Sequence, residues 1–169
     1  MDIKDDHELD VARSALRALG INASGVTHGR DGEPDCIYSD PSERIGIEVT
    51  TAYYTKGSAE SAWRAARDDR EGVTGRCYFS EIMTNFDDNL IASCIRLVQQ
   101  KVSKKYSGVE RVVLLLHINA PLSEDEILIQ ASTAIEQNLP DHDFHEIWIG
   151  RYRSSGDYQA IRLQKSSMT

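Results

Sequence analysis

No apolar run in this chain approaches the roughly 20 residues needed to cross a bilayer. The first ten residues, "MDIKDDHELD", are acidic and unlike a secretion signal. These absences point to a cytoplasmic protein with no membrane partner. Cysteine is scarce and unpatterned: Cys36, Cys77 and Cys94 are odd in number and contain no CxxC pair, so they read as reduced thiols rather than a disulfide frame or a zinc site. Positive charge is also in deficit. The formal net charge is −8 and the isoelectric point about 5.1, which argues against a module that holds nucleic acid by bulk electrostatics. A nuclease is less affected, because its metal-binding acids add negative charge locally. No repeat, low-complexity tract or linker divides the 169 residues. They read as one domain over 1–169, frayed at 1–4 and 166–169.

Hydrophobic residues make up 40% and charged residues 27%, ordinary values for a globular domain with a core. Leu9, Ala12, Leu16 and Leu19 recur at helical spacing and Gly20 follows, predicting a first helix over 5–19. The stretch "INASGVTHGRDGE" is turn-rich and reads as irregular. A short strand is expected over 35–39, a turn at "DPSE", and a second strand over 44–51 in which Ile45, Ile47 and Val49 alternate. Helices are expected over 59–70, 86–106 and 123–138. "RVVLLLHI" (111–118) has the near-continuous apolar character of a strand buried on both faces. "FHEIWIGRYR" and "YQAIRLQK" form a last hairpin around "SSGD". The order predicts an α/β fold, a mixed central sheet flanked by helices.

The chemistry concentrates in "EPDCIYSDPSERIGIEVTT". Strand residues two apart share a face, so Glu48 and Thr50, with Gly46, point away from the apolar Ile45, Ile47 and Val49. A hairpin turning near Pro41–Ser42 sets Glu48 opposite Pro34–Asp35. Like charges facing each other across a strand pair repel, and a hard divalent cation between them relieves the conflict. Mg²⁺ suits one or two carboxylates, several waters and a substrate phosphate. Read alone, Pro–Asp is also a common turn dipeptide.

Proline–aspartate on one strand, then an acid on the next, resembles the PD-(D/E)XK restriction-endonuclease-like superfamily, and the element order over 5–163 is similar to that superfamily's core. The resemblance implies a metal-dependent nuclease that hydrolyses phosphodiester bonds with Mg²⁺ or Mn²⁺. Its expected partner is nucleic acid, DNA foremost, and homodimers are common among such folds. Asp35 and Glu48 match the two metal ligands, and Glu8 on the first helix corresponds to the added glutamate of many members. Thr50 stands where the family's lysine belongs. Lys101, on the apolar stripe of the long helix beside Cys94 and Val98, is the candidate to replace it; Lys104 and Lys105 fall towards the edge or outside. Lys56, Arg64 and Arg67 are candidates for nucleic-acid contact. Bland readings stand beside these: Glu8 as a solvated first-turn acid, Lys101 as a snorkelling stem, and the whole fold as a non-catalytic binding module. "DHDFH" (141–145) reads as a connecting loop, and His117 as a residue near a strand end with an ordinary hydrogen bond.

Overall fold

The computed structural model describes residues 3–39, 43–53, 86–119 and 126–163. Among these residues three helices, α1 (Ile3–Ala18), α2 (Phe86–Lys101) and α3 (Ile127–Asn138), accompany six strands. The strands are β1 (Val26–His28), β2 (Cys36–Ser39), β3 (Arg44–Tyr53), β4 (Arg111–Asn119), β5 (Glu146–Tyr152) and β6 (Tyr158–Arg162). They form one sheet in chain order. Its centre, β3–β4–β5, is parallel, while β1–β2, β2–β3 and β5–β6 are antiparallel. The protein is therefore a mixed α/β fold with helices on the sheet, as its sequence predicts. The helix expected over 59–70 lies outside the described residues.

The alternation of side chains sorts two cores onto the two faces. Ile47, Val49, Val113, Leu115 and Trp148 meet Val11, Ala12, Ala15 and Leu16 of α1. On the other face Ala52, Leu114, Leu116, Ile118 and Ile149 meet Leu90, Cys94 and Val98 of α2 and Ile127, Leu128, Ala131 and Ile135 of α3. The run in β4 is apolar throughout because both of its faces are covered. Among the described residues no helix is long and apolar enough to cross a membrane.

Two expectations are corrected. The segment read as irregular contains β1, whose Val26, Thr27 and His28 pair with Tyr38, Ile37 and Cys36. Three residues between turns are too few to show alternation. The long helix ends at Lys101, not at 106: Val102 N still donates to Val98 O at 3.1 Å, but Lys104 N turns back to Lys101 O at 3.0 Å. Acids Asp87 and Asp88 at its start and Lys101 at its end suit the helix dipole.

Candidate functional site

The β2–β3 register pairs Cys36 with Ile47. One step further along that register Asp35 comes opposite Glu48, as the sequence predicts. Pro34 and Gly46 fix the approach. Pro34 is buried, and a Cβ on Gly46 would stand 2.3 Å from its Cγ. Only glycine lets the proline lie on the strand. Asp35 Oδ2 then accepts a hydrogen bond from Val49 N at 2.8 Å. The turn itself, at 40–42, lies outside the described residues.

Glu48 is fully buried. Its Oε1 accepts from Lys101 Nζ at 2.6 Å and from Lys104 Nζ at 2.9 Å. Burial works to raise the Glu48 pKa, yet the hydrogen bonds from the two lysines outweigh it and hold the carboxyl below its ordinary value. Oε2 is buried with no well-formed hydrogen bond among the described residues. The Tyr106 hydroxyl is in the same condition. It is close enough that, after burial, the charge of Glu48 and its approach as a hydrogen-bond acceptor raise the phenol's pKa.

Asp35 goes the other way. Burial, then the charges of Glu48 and Glu8, push its pKa up to about 6 against the Val49 amide and Lys101. Glu8 lies on the buried side of α1 with Val11, Ala12 and Ala15, and its Oε1 meets Lys4 Nζ at 3.0 Å. The Lys4 pKa is raised first by that bond, and further by the charges of Asp35 and Glu48. Three acids and three lysines thus share one electrostatic neighbourhood.

Of the predicted residues, Asp35, Glu48 and Lys101 come together, and Glu8 is near enough to act on Asp35 by charge. Among the described residues no group of three His, Cys, Asp or Glu is arranged to hold a metal, so Glu8 does not join the other two as a preformed third ligand. Lys56, Arg64 and Arg67 lie outside the described residues. Thr50 is buried. Lys104, expected at the edge or outside, reaches Glu48 because the chain leaves the helix at Lys101 and folds back. Sequence reasoning missed it by extending the helical period too far. Cys36 and Cys94 are buried, and burial first of all pushes both thiols up to about 12, so neither offers a thiolate nucleophile.

A second polar cluster lies under α1, on the opposite face of the sheet. His117 is buried near the end of β4, its Nδ1 3.2 Å from the Tyr158 hydroxyl. The Tyr158 ring stacks on it, while Tyr152 and His7 approach edge-on. Gly150 makes the room: a Cβ there would stand 2.4 Å from the Tyr158 ring. Burial, and secondarily His7, hold the His117 pKa down at about 3. The 141–145 segment is a connecting loop, as read, with Phe144 buried.

No protein-family model matches the chain, and no curated protein does. Among solved structures it is similar to SfsA of Pyrococcus furiosus, determined in complex with Ca²⁺, at 10% identity and a TM-score of 0.31. The match covers 93% of this chain and 60% of that one. A likeness of that size speaks neither for nor against any activity.

Proposed function

We propose that the chain is a metal-dependent nuclease acting on phosphodiester bonds of nucleic acid, with Asp35 and Glu48 holding Mg²⁺ or Mn²⁺. The observation that carries this reading is the convergence of Asp35, just before β2, and Glu48 on β3, close enough that the Glu48 charge raises the Asp35 pKa, with the Lys101 ammonium 2.6 Å from Glu48. The residues fit a small cation on two counts. Oε2 of Glu48 is a buried oxygen without a well-formed partner, and Asp35 is held up to about 6 by burial and neighbouring negative charge. A divalent ion would relieve both. Bound there, it would polarise a phosphoryl oxygen and lower the pKa of water.

The side chains have separate tasks in this reading. Asp35 must lose its proton to serve as a ligand, so its raised pKa predicts activity that rises through about pH 6. The Val49 amide keeps its carboxylate oriented. Lys101 brings the positive charge that Thr50 cannot supply, from a helix rather than from the strand. It is tied to Glu48, and its charge also acts on Asp35, so it is positioned to hold the attacking water or to stabilise charge on the phosphorus centre. Glu8 tunes Asp35 from the other side. The substrate of this reading is nucleic acid, DNA foremost.

One observation favours a rival. Two ammonium groups already neutralise Glu48 and can stand in for a metal, leaving a non-catalytic nucleic-acid-binding or interaction module. Purified protein incubated with DNA and RNA in Mn²⁺, beside Glu48→Ala, separates the two. Cleavage that the variant loses supports the nuclease. Metal binding or nucleic-acid binding without cleavage supports the rival.

A further inference from the structure

The two lysines on Glu48 are not equivalent, and we infer that Lys104 is a movable phosphate ligand that leaves Glu48 for the nucleic-acid backbone, while Lys101 stays. This rests on the nucleic-acid reading above, though not on catalysis. Lys101 and Lys104 converge on one oxygen of one carboxylate. Two like charges sharing an atom repel, and one negative charge does not satisfy both. Lys101 is anchored: it is the last residue of α2, its side chain is 27% exposed, and its charge acts on Asp35 as well as on Glu48. Lys104 lies beyond the helix end, its side chain is 50% exposed, and Asp35 is not among the groups it principally affects. The Tyr106 ring, 5.0 Å from its ammonium, offers a second resting place. A four-carbon stem on a non-helical segment can swing. An arriving phosphodiester would draw the half-exposed cation and leave the other in place, so Glu48 is never left buried and unpaired.

The test is the salt dependence of binding to a short fluorescent oligonucleotide, DNA and RNA in parallel, with Ca²⁺ to hold off hydrolysis. Each phosphate contact contributes about 0.7 to 0.9 to the slope of log K against log salt. Lys104→Met should lower the slope by about one contact and Lys104→Arg should keep it. A purely structural Lys104 would alter the thermal midpoint and not the slope. Binding with an unchanged slope in Lys104→Met overturns the inference and leaves the nucleic-acid reading standing. No binding to either oligonucleotide overturns both.

Discussion

The two faces of the sheet bury polar groups by opposite means. On the α2 face a fully buried carboxylate keeps its charge because two ammonium groups reach it. On the α1 face a fully buried imidazole gives up its charge and is satisfied by a phenol. Burial penalises the charged form in both places; a partner of opposite sign decides whether that form survives. A glycine underlies each arrangement, Gly46 beneath Pro34 and Gly150 beneath the Tyr158 ring. Charge retained within reach of a half-exposed lysine can meet a ligand. The neutral cluster under α1 serves packing.

Acid should break this comparison most strongly. The folded pKa of His117, near 3, lies below the ordinary 6.5, so the unfolded chain takes up the proton first. Stability should fall as pH drops below about 6.5, and the loss is complete below about 3. The full shift corresponds to a few kcal/mol, on the order of 5. Urea titrations between pH 7 and 4 should show this limb, and His117→Phe should flatten it even if that variant is weaker throughout. An unchanged limb would mean that the α1 cluster is hydrated or already charged.

Asp35 works in the reverse sense. Its folded pKa, about 6 against an ordinary 3.8, makes the native state costlier as pH rises from about 3.8 to 6, by about 2 to 3 kcal/mol in full above 6. Asp35→Asn should therefore be more stable than the parent at pH 8 by that order, and show no gain near pH 3.5. The same substitution should abolish any rise in thermal midpoint on adding Mg²⁺ or Mn²⁺, a rise worth about 2.7 kcal/mol at a hundredfold excess over Kd. A variant that gains stability and loses the cation response would tie the stored electrostatic cost to function.

The glycine pair gives the smaller and sharper contrast. Gly46→Ala and Gly150→Ala should each cost about 1 to 3 kcal/mol, since an added methyl displaces a ring in a packed interior. Only Gly46→Ala should also impair cation binding, because moving Pro34 moves Asp35. Equal effects on the cation response would show that the faces are coupled.

Much of the α2-side site was legible because local rules govern it. Alternation in "RIGIEV" and one hairpin turn are enough to set Asp35 against Glu48, and a lysine beside Cys94 and Val98 is conspicuous on an apolar stripe. Lys104 was not legible: its position depends on where α2 stops, and nothing in "KVSKKY" marks Lys101 as the last helical residue. The His117 cluster was hidden for a different reason. Its members come from α1, β4, β5 and β6, and only tertiary folding brings them into register. β1 is held by pairing with β2 rather than by a pattern of its own.

The parallel pairing of β3 with β4 has a consequence for biosynthesis. During translation Asp35 and Glu48 leave the ribosome well before residues 101 and 104, so closing the hairpin at that stage would set the two acids side by side without their ammonium counter-ions. A two-stranded ribbon is marginal in water even without that repulsion. The nascent hairpin should therefore stay open until α2 and β4 have emerged, and the acidic pocket should close as one of the last steps of folding rather than one of the first.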